Sequence, residues 1–84
     1  LLVLCAVDLE TGKIVGDVDI IARGFNLTED VQASIRNATQ ETIDAADFDK
    51  VNVNDVARLV KKAVRKLFYK DRQFPIIIPI IVED

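Results

Sequence analysis

The strongest constraint on the fold is the one-sided distribution of apolar residues between positions 53 and 71. At 100° per residue, one face of a helix over this segment carries Val53, Val56, Val60, Ala63, Val64 and Leu67. The opposite face carries Arg58, Lys61, Lys62, Arg65, Lys66 and Tyr69. Such a helix is stable when its apolar face packs on another apolar layer, so the rest of the chain has to provide that layer.

Short apolar segments at both ends of the chain predict a small sheet. The segment LLVLCAVD at 1–8 is typical of a buried strand, and the turn DLETGK leads into IVGDVDII, which predicts a hairpin over 1–22. Gly16 interrupts the returning strand, as expected at a bulge or a break. PIIIPIIVED, from Pro75 onward, predicts a last strand. Its two prolines favour an edge position, or nitrogens that face away from a neighbouring strand.

A further helix is predicted between the hairpin and the 53–71 segment. Thr28 is a favourable N-cap, and Glu29 and Asp30 suit the positive end of a helix dipole. A helix from about 29 to 46 follows from apolar or small residues at spacings of three and four, namely Val31, Ile35, Ala38 and Thr42, with Ala45 or Ala46.

The start of the second helix carries its own signal, because Asn52 followed by Asp55 resembles a capping box.

The predicted strands and helices together give the element order β-β-α-α-β. We expect an α+β domain in which two helices pack on one face of a three-stranded sheet. The pattern leaves the strand order open, and it does not define whether the first and last strands run parallel.

Composition limits the chemistry that the chain can perform. It has no histidine and one cysteine, which removes the commonest general base and most zinc ligand sets. Cys5 is expected to be a buried thiol in a reduced, cytoplasmic protein. Ser34 has no histidine to activate it, and no glycine-rich loop precedes a helix as a phosphate cradle. The sequence thus predicts a non-enzymatic domain without catalytic residues, metal or cofactor.

Two features bear on where this domain resides. The apolar run FPIIIPIIV at 74–82 contains two prolines and is about half as long as a membrane span, so no membrane partner is expected. The chain opens with LLVL, already inside a predicted strand, and we therefore expect a fragment of a longer polypeptide.

The basic face of the second helix is one candidate interaction surface. Seven of the eleven basic residues lie between Arg58 and Arg72, although the net charge of the chain is −3. Segregated positive charge attracts phosphates, and an aromatic ring can stack on a base. The predicted RNA contacts are Arg58, Lys62, Arg65 and Tyr69. The alternative is an ordinary solvated helix face with its cations near the negative end of the dipole.

The final strand provides a second candidate surface. Two helices cover one face of the sheet, whereas PIIIPIIV places isoleucine or valine on both faces. The surplus apolar side chains predict a self-association surface that contains Ile76, Ile78, Ile80 and Val82.

A third motif, Arg23-Gly24-Phe25, ends the second strand and is interpreted as a structural turn. Gly24 permits a backbone geometry that other residues avoid and would direct the chain away from the sheet. Phe25 and Leu27 would anchor the turn ahead of the first helix, and Leu27 with Val31 fits a hydrophobic staple. Arg23 would then be a charge at the end of a strand.

Three segments, in order, carry a family resemblance: TGKIVGDVDIIARGF, VRKLFYKD and FPIIIPIIVED. Together they resemble the small C-terminal domain of the ribonuclease J family, over nearly the whole chain. These enzymes are bacterial and archaeal ribonucleases with a metallo-β-lactamase core and an inserted β-CASP domain. The resemblance implies a three-stranded sheet faced by two helices, with ARGF as the turn between the second strand and the first helix.

The resemblance also implies a function for the parent polypeptide. The parent would be a zinc-dependent hydrolase of RNA phosphodiesters, with endonuclease and 5′-to-3′ exonuclease activity and with its zinc ligands outside this domain. The domain itself would support oligomer assembly and full activity. Its partners would be the catalytic domains of the same polypeptide and another copy or paralogous subunit, with RNA reached through the parent. The alternatives are a direct RNA-binding module and an unrelated small α+β interaction domain.

Overall fold

A computed structural model of the protein describes residues 1–24, 26–69 and 75–84. The elements in chain order are β1 (Leu2–Asp8), β2 (Lys13–Ile21), α1 (Glu29–Ala45), α2 (Val53–Lys66) and β3 (Ile78–Glu83). Helix α1 packs on β2, α2 packs on β3, and the helices contact each other. The predicted α+β class and the order β-β-α-α-β are confirmed.

The central strand of the sheet is β1, which lies between β2 and β3. It pairs antiparallel with β2 and parallel with β3, and this answers the two questions that the sequence pattern left open. Val3, Cys5 and Val7 of β1 are buried under the helices. A parallel pair requires a long crossover connection, and the two helices together provide it.

Strand β2 contains a bulge at the predicted glycine. Leu4 is paired with Asp19 and Ala6 with Val15, so residues 16–18 lie opposite Cys5 alone. Gly16 has a φ of 76°, a backbone conformation that glycine adopts without strain. Because two residues are inserted rather than one, side chains on either side of the bulge keep the same alternation between the two faces.

Strand β3 is an edge strand, as its prolines predict. The amide of Ile78 donates to the Leu1 carbonyl at 2.8 Å, and the amide of Asp84 donates to the Val7 carbonyl at 2.9 Å. Amide direction alternates along a strand, so the nitrogen of Pro79 faces the outer edge, where no hydrogen is required. The strand begins at Ile78 rather than at Pro75.

The core lies between the sheet and the helices. Helix α1 contributes Ile35, Thr39 and Ile43, each with no exposed surface. The sequence pattern predicted Ala38 and Thr42 on this face, but both are only half-buried. Thr39 is tolerated in the core because its hydroxyl donates to the Ile35 carbonyl at 2.8 Å.

Helix α2 buries Val56, Val60 and Val64 as predicted, but it ends earlier than expected. It stops at Lys66, and amides of the next two residues donate to the carbonyls of Val64 and Arg65, which tightens the last turn. This turn places Phe68 in the core and leaves Leu67 39% exposed, so the prediction for Leu67 is wrong. Positions 70 and 71 of the predicted helix lie outside the described residues.

Both helix N-caps and the hairpin turn agree with the sequence. The Thr28 hydroxyl accepts from the Val31 amide at 3.2 Å, and the Asn52 side chain accepts from the Asp55 amide at 2.9 Å. Gly12, with a φ of 72°, closes the turn between β1 and β2. Its amide donates to the Asp8 carbonyl at 2.7 Å.

The turn after β2 contains the motif Arg23-Gly24-Phe25. Gly24 is exposed and has a φ of 85°, and no neighbouring atom lies within 4 Å of the position that a Cβ would occupy. The requirement for glycine is therefore one of backbone conformation and not of space. Arg23 is exposed, and Phe25 lies outside the described residues. Leu27 and Val31 both pack against the core, as expected of a staple.

We expect Gly24→Ala to lower the free energy of unfolding by about 1–2 kcal/mol, because alanine is strained in the left-handed region. Gly24→Asn should cost less, since asparagine tolerates that region. Urea denaturation of the three proteins checks this order. A larger loss for the bulkier asparagine would show instead that space around Gly24 is the constraint.

Candidate interaction surfaces

The face of the sheet opposite the helices is covered by no described element and is mostly apolar. The strand register places its side chains in three rows: Leu2 with Ile21 and Ile78, Leu4 with Asp19 and Ile80, and Ala6 with Val15 and Val82. We call these nine residues the open sheet face. Alternate residues of β1 point toward the helices, so the rows between them point away.

The side chains of the open sheet face are substantially exposed. Ile21, Ile78 and Val82 are each about half exposed, and Ile80 and Val15 have 40% and 44% of their surface exposed. Single exposed apolar residues are ordinary, whereas a contiguous patch across three strands marks an interaction site. The arrangement is suited to packing against another apolar surface.

Charge is almost confined to the borders of this face. Asp19 is exposed and is the one charged residue within the three rows. Asp8 and Lys13 form the next row, at the end of the sheet beside the β1–β2 turn. Any partner that covers the face must either leave Asp19 hydrated at its border or provide a polar group for it.

The structure brings together three of the four residues predicted for self-association. Ile78, Ile80 and Val82 lie side by side on β3, whereas Ile76 precedes the strand and is 79% exposed. The sequence did not indicate the contributions of β1 and β2, because β1 is apolar on both faces and its register was unknown. Once it is known which face of the sheet the helices cover, the alternation of side chains along β1 places Leu2, Leu4 and Ala6 on the other face.

Three of the four residues predicted to contact RNA lie on the exposed side of α2. Arg58, Lys62 and Arg65 are exposed and lie roughly opposite the buried valines of the helix, whereas Tyr69 is exposed but follows the end of α2. Arg58 pairs with Asp55 at 3.8 Å, but both side chains are partly in water, and such a pair contributes little to stability.

The groove between α1 and α2 was not predicted. It has a volume of about 320 Å³ and is lined by Thr42, Ala45, Ala46, Leu59, Lys62, Ala63 and Lys66. Leu59 is 49% exposed, although it adjoins buried Val60 in sequence. The sequence contained one indication of this groove, because Leu59 lies outside the helix face that carries the buried valines.

The chemistry of the interior is inert. Burial raises the pKa of the Cys5 thiol, which keeps it protonated and unreactive at neutral pH. Within residues 1–24, 26–69 and 75–84, no group of three or more Cys, Asp or Glu side chains is arranged to hold a metal ion. In the same part of the chain, no helix is long and apolar enough to cross a membrane.

Comparison with known proteins identifies the family of the chain. The family model described as "Ribonuclease J C-terminal domain" matches residues 1–84, the whole chain. A search of curated proteins gave no match. The expected family resemblance is confirmed, and the match identifies a ribonuclease-associated domain. The chain belongs to the ribonuclease J C-terminal domain family.

Proposed function

We propose that this domain is a noncatalytic assembly module of a ribonuclease, and that the open sheet face of one copy packs against a second copy. The observation that carries the proposal is the apolar patch across all three strands, which no described element covers. The family supplies the context, because a C-terminal domain of ribonuclease J is joined to catalytic domains. The zinc centre expected of such a parent would lie in those domains.

The sheet edges are poorly suited to association by strand addition. On the β3 edge, Pro79 offers no donor toward solvent. On the β2 edge, the bulge at residues 16–18 breaks the regular spacing of donors and acceptors. These features favour face-to-face packing, in which two sheets lie about 10 Å apart.

Association of this kind derives its free energy from buried apolar surface. Removing that surface from water is worth about 25 cal/mol per Å², less the cost of lost translational and rotational freedom. Two copies on one interface would also hold their catalytic domains close together. Once one copy has bound an RNA, binding of the same RNA by the second copy becomes intramolecular and is therefore favoured. Assembly would support full activity in this way.

A second candidate function is direct contact with RNA through α2. It is favoured by the exposure of Arg58, Lys62 and Arg65 along one side of that helix, with exposed Tyr69 just after its end. The acidic net charge of −3 weighs against a domain dedicated to nucleic acid. We therefore place assembly first.

Ile80→Glu should weaken self-association at least tenfold, because it adds a second carboxylate to the row of the open sheet face that contains Asp19. Leu9→Glu is the matched control, since Leu9 is 39% exposed and Ile80 is 40% exposed, but Leu9 lies in the β1–β2 turn. Light scattering over a range of concentrations measures the effect, with circular dichroism to verify folding. A wild-type chain that stays monomeric, or equal association of both variants, contradicts the proposal.

Asp19→Asn should strengthen association several-fold, because an amide costs less to remove from water than a carboxylate. Asp44→Asn provides the same change in net charge on α1, on the helix side of the sheet, and should leave association unchanged. Sedimentation equilibrium distinguishes the two. An equal gain for both variants would indicate general charge repulsion rather than a specific cost at the open sheet face.

For the RNA hypothesis, combined Arg58→Glu and Lys62→Glu should weaken binding of a labelled single-stranded RNA about tenfold and flatten its salt dependence. Combined Lys13→Glu and Lys50→Glu has the same net charge but alters two exposed positions outside α2. Fluorescence anisotropy at two salt concentrations provides the measurement. Unchanged binding, or an equal loss in the control, rules out contact through this side of α2.

A further inference from the structure

The groove between α1 and α2 has a shape that small residues create. On the α1 side it is lined by Thr42, Ala45 and Ala46, at i, i+3 and i+4. On the α2 side, Ala63 lies one turn after Leu59. Alanines at these positions leave a depression of about 320 Å³ between two packed helices, which is enough room for bulky apolar side chains.

The side chains at the floor of the groove are apolar apart from Thr42. The Thr42 hydroxyl donates to the Ala38 carbonyl at 2.7 Å, so it requires no partner from the groove. Leu59 is 49% exposed and forms one wall. An apolar ligand group would therefore remove water from Leu59 and the alanines without breaking a hydrogen bond.

Positive charge borders this apolar floor. Lys62 and Lys66 line the groove on α2, one turn apart. Among the residues that the structure describes, the ion pair at α2 joins Arg58 to Asp55, and no acid pairs with either lysine. An occupant that places carboxylates beside its apolar side chains would match both features of the groove.

Nucleic acid matches only one of these features. Phosphates would satisfy Lys62 and Lys66, but an RNA backbone has no aliphatic side chain to fill the depression beside Leu59 and Ala63. An amphipathic helix has apolar side chains at i, i+3, i+4 and i+7, and it can place acids next to them. A protein segment is therefore the better fit.

We propose that the groove between α1 and α2 docks an acidic amphipathic helix of a protein partner. The bulky apolar side chains of that helix lie against Leu59 and the alanines, and its carboxylates pair with Lys62 and Lys66. This surface is separate from the open sheet face, because the helices and the core lie between them. One copy of the domain can thus join an assembly through its sheet and recruit a partner through its helices.

The test uses the ¹⁵N-labelled chain and a 14-residue peptide that a covalent side-chain staple holds helical, with leucine at heptad positions a and d, glutamate at e and g, and alanine or glutamine elsewhere. We expect amide shifts centred on Thr42, Ala45 and Ala63, and at least tenfold weaker binding of the same peptide with lysine in place of glutamate. Shifts centred instead on the open sheet face, or no shifts at all, overturn the proposal.

Two pairs of variants separate the parts of the argument. Combined Lys62→Glu and Lys66→Glu should weaken peptide binding at least tenfold, whereas Arg58→Glu with Lys61→Glu, on the same helix and of equal charge, should change it less than twofold. Ala63→Leu fills the groove without a change of charge and should weaken binding at least fivefold. Ala33→Leu, on exposed α1 surface, should not.

Two outcomes point away from a protein site. Equal losses in both charge variants would show unspecific attraction between a basic helix and an acidic peptide. A single-stranded oligouridine that displaces the peptide from wild-type protein, and that no longer binds the Lys62→Glu, Lys66→Glu variant, would assign the groove to RNA. Either result overturns the proposal.

Discussion

The structure depends on a central strand that is apolar on both faces. In β1, Val3, Cys5 and Val7 face the helices, and Leu2, Leu4 and Ala6 face the other way. The described residues form two helices, and both pack on the same side of the sheet. One face of the sheet is therefore covered by these helices, and the other face is exposed to solvent or covered by a partner. The features of the two edge strands and the open sheet face are consequences of this difference between the two faces.

The flanking strands adjust to that constraint in different ways. β2 places Asp19 in the centre of its side of the open sheet face and contains the bulge at Gly16. β3 places Pro79 at the outer edge and keeps isoleucine and valine on the open face. The edges thus discourage strand addition, while the face remains apolar. The strand edges thus disfavour uncontrolled sheet growth, and the apolar face is the surface through which we propose that the domain associates.

The helix caps and the turn were predictable from the sequence because they depend on local interactions. The strand order was not predictable, because it depends on pairing between distant segments. Thr28, Asn52 and Gly12 act within a few residues of their own positions, so their roles were visible in the pattern. The parallel pairing of β1 with β3 joins distant segments and has no local signal. Phe68, and not Leu67, lies in the core because the last turn of α2 is tightened. A prediction based on a regular 100° repeat does not include such a turn.

The candidate surfaces show the same division. The isoleucines of β3 were evident as an excess of apolar residues, and the cations of α2 as a charged stripe. The groove could not be predicted, since it arises where Ala45 and Ala46 of one helix meet Leu59 and Ala63 of another. Such a surface belongs to the packing of two elements and not to either sequence segment.

The pairing of β1 with β3 also determines when the fold can be completed during synthesis. The Ile78 amide donates to the Leu1 carbonyl, so the parallel pair joins segments from opposite ends of the domain. At roughly 5–20 residues per second, β1 waits on the order of ten seconds for the strand that completes its sheet. The hairpin with β2 forms from local contacts, but the other edge of β1 stays unpaired until β3 has been made. In the nascent chain, the strand that organises the finished domain is therefore an aggregation-prone segment that requires early protection.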